Sequence, residues 1–291
     1  MSVVTTIYAY FALFIIFFGI FGNLALITVI CSNKPFRSNR CSILLSLIAM
    51  CDLVTELSTI RNLLYSLLEI PTFQHSCFFF MIPADFSLCV QTFLMLSLAV
   101  DRLSAVLFPI WYKMVSSTIY FTVFCLPPVA FGLLVVVLAY FLLEADHLLT
   151  ICNVPLSLST SVFALWNRGS LTAVGLTIAV YIATGVTVLL KTRRKRVPLQ
   201  IDLEIMKTIT LIVIFYIFTC LFAQLTNFVV YLLFNESAIG RTYSMLVGIT
   251  AQLGYGGNFY IYVSRNRTYR QAFKKLISRR KRSIDQVMTL S

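Results

Sequence analysis

The sequence carries little charge. Only 12% of its 291 residues are charged, whereas 59% are hydrophobic. About a quarter of the residues in a soluble globular domain are charged, so this composition excludes an ordinary soluble domain and predicts a membrane protein. The charge that is present is unbalanced, with 23 basic residues against 11 acidic ones.

Other scarce features exclude whole classes of function. The two histidines, His75 and His147, stand apart, and the chain shows neither metal-ligand spacing nor a nucleophile paired with a base. We therefore expect no enzyme activity, no metal site and no cofactor. The last apolar segment, 243–263, has no lysine that could bind retinal, which excludes a retinal pump. The chain also lacks the internal repeat that many secondary transporters contain.

Seven apolar segments are each long enough to cross a bilayer as a helix, which requires about 20 residues. They predict an all-α membrane protein built as a seven-transmembrane helix bundle, with no room for a separate soluble domain. The predicted spans are 7–31, 41–66, 77–107, 119–143, 168–190, 205–233 and 243–263.

A basic amphipathic segment follows the seventh span. Tyr269 and Phe273 recur at helical spacing with arginine and lysine residues between them, which predicts a short helix over 266–277 on the inner membrane surface. We therefore expect one membrane domain over 1–277 and a basic cytosolic tail over 278–291. Anionic membrane lipids are expected partners of these basic residues. Nucleic acid is not, because the basic residues are scattered over short loops beside the spans.

The basic residues also predict the orientation of the chain. If the amino terminus lies outside, all of the 23 basic residues except Arg61, Arg168 and Arg241 fall on the cytosolic side. Cytosolic loops of membrane proteins carry such an excess of lysine and arginine, so we predict an extracellular amino terminus and a cytosolic carboxyl terminus. Asn235, which begins an Asn-Glu-Ser triplet, then lies outside and is a glycosylation candidate.

The eight cysteines divide by predicted topology. Six fall within spans or at their cytosolic ends, where we expect reduced thiols. Cys77 and Cys152 fall on the outer side, and we predict a disulfide between them. A helix from Cys77 to Arg102 would be roughly 37 Å long, slightly more than the roughly 30 Å hydrocarbon core of a bilayer. The third span would therefore place a disulfide at one membrane face and a charge pair at the other.

Polar residues inside spans are costly and are candidates for function or for helix packing. Asn23 in the first span is expected to hydrogen-bond to a neighbouring helix. Asp52 and Glu56 lie one turn apart on one face of the second span. Asp52 has two interpretations, as a hydrogen-bond hub that fixes packing or as an ion- or proton-linked group.

These features together resemble a known family. They follow the order and register of the rhodopsin-like G-protein-coupled receptors, and within that superfamily the chain is most similar to the nematode serpentine chemoreceptors of the srsx class. The similarity covers nearly the whole chain. Its markers are Gly22-Asn23, Ser46 to Asp52, Cys77 with Cys152, Asp101 to Tyr112, and Asn258 to Tyr262 followed by Tyr269 and Phe273.

The resemblance implies a chemosensory receptor of the plasma membrane, with an extracellular ligand and a heterotrimeric G protein on the cytosolic side. Asp101-Arg102-Leu103 stands at the position of the family's Asp-Arg-Tyr triplet. Arg102 would be held at rest by Asp101 and by Glu204, and its release would open a cleft for the G protein. The other residues implied in this rearrangement are Tyr181, Asn258 and Tyr262.

Several positions depart from the family pattern. Phe259 replaces the proline of the last motif, and Gln224 stands where a proline usually forms the hinge of the sixth span. Phe222 occupies the position of the family's toggle tryptophan, a side chain that changes rotamer. Gln91 replaces the serine usual beside Asp52, and we assign Gln91 to a packing network with Asp52 and the first-span asparagine. The hinge is therefore expected to differ from that of the family.

The predicted ligand-pocket residues are Asp85, Glu56, Phe222 and Gln224. Asp85 lies one residue beyond the position where amine receptors carry an aspartate, and one residue is about 100° of helix rotation. It therefore faces either the ligand or a neighbouring helix. The ligand is a small molecule or a peptide. The alternative function is a seven-helix membrane protein, transporter-like or a scaffold, that does not couple to a G protein.

Overall fold

The computed structural model of the chain is a bundle of long helices. It describes residues 3–68, 70, 72–143, 148–149, 152–193, 210–211, 213–215, 217–226, 229 and 238–288. The helices of the first half are α1 (Val3–Ser32), α2 (Lys34–Arg37), α3 (Arg40–Leu67), α4 (Gln74–Leu107), α5 (Pro109–Met114) and α6 (Ser117–Phe141). Those of the second half are α7 (Val154–Ser157), α8 (Thr160–Arg193), α9 (Val213–Thr226), α10 (Ala238–Arg265) and α11 (Arg267–Met288).

The bundle is a membrane fold. Within the described ranges, five helices are long and apolar enough to cross a bilayer. They lie in α1, α3, α4, α6 and α8, and they confirm the predicted all-α membrane class. The predicted span 205–233 lies partly outside the described residues, and α10 contains the predicted span 243–263. The total of seven spans stays a prediction.

Several helices are longer than the predicted segments, and α8 and α11 differ most. The helix α8 begins at Thr160 rather than at 168, because its first turns pack Val162, Phe163 and Trp166 into a buried cluster with α4 and α6. The helix α11 continues to Met288, beyond the predicted end at 277. The predicted tail therefore begins as a continuation of this helix.

The helix α4 is the central element. It packs against α3 and α6 on two sides and against α8 on a third, and its outer part also contacts α7. Buried side chains run along it from Cys77 to Asp101. "Outer" and "inner" follow the predicted orientation of the chain. A helix held on three sides keeps its two ends in a fixed relation, so both faces of the bundle are positioned by α4.

Two short strands pair at the outer end of the bundle. The strands β1 (Thr72–Phe73) and β2 (Leu148–Leu149) are antiparallel, with Thr72 opposite Leu149. No pattern in the sequence predicts these two strands. The predicted disulfide between Cys77 and Cys152 is present, with 5.5 Å between the two Cα atoms. It ties the start of α4 to the segment that leads into α7.

Candidate functional site

Asp101 and Arg102 form an ion pair at the inner end of α4. Arg102 Nε donates to Asp101 Oδ2 over 2.7 Å, and Arg102 Nη2 donates to the same oxygen. The Asp101 side chain is fully buried and that of Arg102 is 13% exposed. Adjacent residues of a helix point about 100° apart, so the guanidinium lies back along its own helix to reach the carboxylate.

Two tyrosines bind the other oxygen of the same carboxylate. Tyr112 Oη donates to Asp101 Oδ1 over 2.8 Å, and Tyr120 Oη donates to it over 2.5 Å. A buried carboxylate is costly unless it is paired and hydrogen-bonded, and here both oxygens have donors. Burial and the neighbouring Asp101 charge raise the pKa of Tyr112. Its hydroxyl therefore keeps its proton and stays a donor at neutral pH.

The loop between α4 and α6 brings Tyr112 to this position. Phe108 leaves the helical conformation, with φ −125° and ψ 61°, and Pro109 begins the short helix α5. Proline suits the first helical turn because the backbone donor that it lacks would be unpaired there. Ser116 then caps α6 by accepting from the amide of Ile119 over 3.3 Å. The break at Phe108 and the cap at Ser116 together turn the chain, so that Tyr112 on α5 reaches Asp101.

Arg40, the first residue of α3, holds the same loop. Its Nη1 donates to the carbonyl of Tyr112 over 2.7 Å, and its Nη2 donates to the carbonyl of Val115. The guanidinium also lies over two rings, 5.4 Å from the centroid of Tyr112 and 5.0 Å from that of Tyr120. Both distances are within cation–π range. The sequence alone indicates only that Arg40 is one of the basic residues on the cytosolic side.

The other residues predicted at the inner end are partly brought together. Tyr262 on α10 is buried and Tyr181 on α8 is partly buried. The hydroxyl of each is buried and has no hydrogen-bond partner among the described residues. The ring of Tyr262 packs on Tyr269 with 4.9 Å between centroids. Tyr269 in turn places its hydroxyl 3.0 Å from Ser42 Oγ. Glu204 lies outside the described residues.

Asp52 joins three helices at mid-depth. Gln91 Nε2 on α4 donates to Asp52 Oδ1, and Asn258 Nδ2 on α10 donates to Asp52 Oδ2 over 3.2 Å. Asp52 itself is on α3 and is fully buried. The sequence placed Asn258 in the activation set, and the structure places it one helical turn from Tyr262 on the same helix.

Asn23 hydrogen-bonds to Glu56, whereas Asp52 accepts from Gln91 and Asn258, so the polar residues form two neighbouring hydrogen-bonded groups among the described residues. Asn23 Nδ2 donates to Glu56 Oε2 over 3.2 Å and to the carbonyl of Tyr255 over 3.3 Å. Glu56, predicted as a ligand-pocket residue, is fully buried between α1 and α10. Its Oε1 lies where a Cβ on Gly19 would be, so a larger residue at that position would have to displace the Glu56 carboxylate.

The outer end of α4 carries Asp85. This residue is fully buried and accepts a hydrogen bond from Ser157 Oγ over 3.0 Å. Ser157 belongs to α7, close to the disulfide at Cys152, so Asp85 faces the outer loop segment in this conformation. Gln224 has a buried Oε1 without a partner in the described part of the chain. Phe222 is 54% exposed, and Asn235 lies outside the described residues.

Four contact residues were not found from the sequence as site residues: Arg40, Tyr112, Tyr120 and Ser157. Tyr112 stands within the motif that supports the family resemblance, and the Phe108-Pro109 break indicates that the following turn reverses direction. These signals predict a turn but not its contacts, because the contacts depend on how α3 and α6 meet it.

Comparison with known proteins identifies the family. A family model described as "Serpentine type 7TM GPCR chemoreceptor Srsx" matches residues 16–277, which is most of the 291-residue chain. No curated protein matches the sequence. The resemblance predicted from the sequence is therefore confirmed.

Proposed function

Because the chain belongs to the Srsx family of serpentine seven-transmembrane chemoreceptors, we propose that it binds an extracellular small molecule or peptide and activates a heterotrimeric G protein through Asp101-Arg102-Leu103. Srsx is a family of receptors and not of enzymes. Its membrane-spanning helices make the chain a multi-pass plasma-membrane protein. The extracellular position of the amino terminus is part of the proposal.

The observation that carries the proposal is the closed ion pair at the inner end of α4. Four hydrogen bonds converge on Asp101, two from Arg102 and one from each tyrosine. Charge-assisted hydrogen bonds of this kind are about twice as strong as neutral ones. An arginine held in this way is withdrawn from the inner surface, as a receptor at rest requires.

Activation is then a shift between two states of the bundle. The ligand must bind the open state more tightly than the closed one, and it shifts the equilibrium only by that difference in affinity. Once Asp101 releases it, Arg102 needs new partners. The hydroxyls of Tyr181 and Tyr262 are buried and, within the described part of the chain, have no partner in the closed state, so they are suited to accept from Arg102 or to bind water beside it.

The hydrogen-bonded group of Asp52, Gln91 and Asn258 couples the outer and inner halves of the bundle. Asn258 binds Asp52 over 3.2 Å, and Tyr262 follows one turn later on α10, so the two side chains lie on one face of that helix. Gln91 connects Asp52 to α4, which carries Arg102. A rotation of α10 would therefore change the contacts of Asp52 and the position of Tyr262 together.

The ligand site is proposed at the outer end of α4. The bond between Asp85 and Ser157 connects α4 to α7, and the disulfide keeps that segment close. A ligand with a hydrogen-bond donor could take the place of Ser157 on Asp85 and loosen α7. Gln224, Phe222 and Glu56 stay candidate pocket residues, and the ligand class is open between a small molecule and a peptide.

Anionic lipids are proposed as partners of α11. Asn266 begins this helix by accepting from the amides of Thr268 over 3.0 Å and Tyr269 over 3.2 Å. Tyr269 is buried, whereas Arg267 and Lys274 are exposed. Such a helix can keep its apolar face on the bundle and present its basic face to lipid headgroups.

The experiment that tests the proposal is a ligand screen in cells. Wild-type chain and Arg102→Ala are expressed at equal surface density, and calcium or cyclic-nucleotide signals are recorded with a panel of odorants, metabolites and short peptides. We expect a wild-type response that Arg102→Ala lacks although it still binds the ligand. A response that survives in Arg102→Ala would contradict the proposal and favour a membrane protein that does not couple to a G protein.

A further inference from the structure

The helix α5 is too short to hold its own position. It has six residues, Pro109–Met114, and isolated helices of this length are unstable because nucleation is costly. Its last carbonyl groups have no partner within the helix. Four side chains in α5 or directly before it are exposed and do not pack into the bundle. These are Phe108, Ile110, Trp111 and Met114.

Arg40 supplies the missing contacts at the end of α5. One of its nitrogens binds the carbonyl of Tyr112 over 2.7 Å and the other binds that of Val115. The two nitrogens of one planar guanidinium thus bind two carbonyls at once, which a lysine ammonium does less well. Because the same group lies over the rings of Tyr112 and Tyr120, it also limits their rotation.

We propose that Arg40 is a positioning residue, which holds α5 in the register where Tyr112 donates to Asp101. Arg40 makes no hydrogen bond to Asp101 among the described residues, so its effect on Arg102 passes through the loop. The part of this inference that concerns signalling rests on the proposed function. The part that concerns the loop does not, because it is a statement about the position of α5 alone.

The loop is tested first, by amide hydrogen exchange on the purified full-length chain in lipid nanodiscs. The peptide covering 108–116 contains the amides of Tyr112 and Val115, which bond to Phe108 and Trp111. We expect Arg40→Ala to raise exchange of this peptide by about tenfold, the effect of losing one charged hydrogen bond. Arg40→Lys should give a smaller increase.

A matched control removes the same charge nearby. Arg37 is exposed, lies on α2 and has the same predicted cytosolic position. Arg37→Ala should leave exchange of the 108–116 peptide within about twofold of wild type, well below the tenfold expected from losing a charged hydrogen bond. Unchanged exchange in Arg40→Ala, or an equal increase in Arg37→Ala, would overturn the inference, whatever the receptor does to a G protein.

A double-mutant cycle tests the route from Arg40 to Arg102. Tyr112→Phe keeps the ring but removes the hydroxyl that binds Asp101. Each single variant should raise ligand-free nucleotide exchange on the G protein, and the double variant should rise little beyond the larger single effect, because both act through one contact. If the two increases multiply, Arg40 does not act through Tyr112. If no variant and no wild-type sample activates any G protein, the proposed function fails while the exchange result still decides the position of α5.

Discussion

Tyr120 on α6 donates its hydroxyl to Asp101 on α4 over 2.5 Å. This bond connects two spans directly at the point where Arg102 is held. The ring of Tyr120 is fixed independently, by Phe124 at 4.6 Å and Phe121 at 5.1 Å between centroids. The hydroxyl can therefore be removed without loss of the packing around it.

Tyr120→Phe is expected to loosen the ion pair and raise ligand-free nucleotide exchange. A hydrogen bond to a charged group contributes about 1.5–3 kcal/mol, so the closed state should lose free energy of that order. Melting of the purified receptor and its basal G-protein turnover are the two measurements. Tyr140→Phe is the control, since Tyr140 lies on the same helix and is 56% exposed. Equal basal turnover in the two variants would show that the Tyr120 hydroxyl does not restrain Arg102.

Gly256→Ala is expected to destabilise the bundle. A Cβ at this position would lie 2.8 Å from the Cα of Gly19, and backbone cannot move aside as a flexible side chain can. Overpacking of this kind costs about 1–3 kcal/mol. The melting temperature of the detergent-solubilised receptor should fall, and its surface expression with it.

Gly175→Ala is the matched control for that substitution. Gly175 is also in a long helix, but a Cβ there would have no atom of the described residues within 4 Å. Alanine in a helix interior is favoured over glycine by roughly 0.5–1 kcal/mol, so this variant should be as stable as wild type or more stable. A Gly256→Ala receptor that melts no lower than Gly175→Ala would show that α1 and α10 do not meet as described.

The sequence predicted the ion pair because adjacent residues of one motif carry it. It did not predict Tyr120 or Arg40, because their contacts depend on how α3 and α6 meet the turn after Phe108. Asn23 was predicted to bind a neighbouring helix, and it donates to Glu56 on α3; its assignment to one packing network with Asp52 stays a prediction. Which polar residue meets which depends on helix rotation, and Gly19 and Gly256 allow α1 and α10 to approach closely at this level.

The strands β1 and β2 illustrate a second limit. Each has two residues, which is too short for any alternation of polar and apolar residues to be visible. By contrast, the disulfide could be predicted because topology left one pair of cysteines on the outer side. A long-range contact can be predicted from sequence where a residue has few possible partners. It cannot be predicted where each residue has many possible partners.

Cys152→Ser is expected to retain the receptor inside the cell. The disulfide closes a separation of 75 residues, and loss of a native disulfide typically costs about 2–5 kcal/mol. Surface biotinylation should show a large loss for Cys152→Ser and for Cys77→Ser. Cys31→Ser is the control, because Cys31 is a free, exposed cysteine in α1. Normal surface delivery of Cys152→Ser would mean that the bridge is dispensable for folding.

We propose that Asp101 restrains Arg102 and that Arg102 acts on the G protein. Asp101→Asn keeps an acceptor for both tyrosines but removes the charge that binds Arg102. Weakening that bond by about 1 kcal/mol shifts a two-state equilibrium about fivefold, so ligand-free nucleotide exchange should rise by about that factor.

The most direct measurement compares this variant with the double variant Asp101→Asn/Arg102→Ala, in purified receptor with a panel of heterotrimeric G proteins. Lys113→Ala, in the short helix α5 that follows α4, serves as a control for the loss of a nearby basic residue. We expect nucleotide exchange to rise in Asp101→Asn and to fall to the receptor-free level in the double variant. Raised exchange that persists without Arg102 would contradict this proposal.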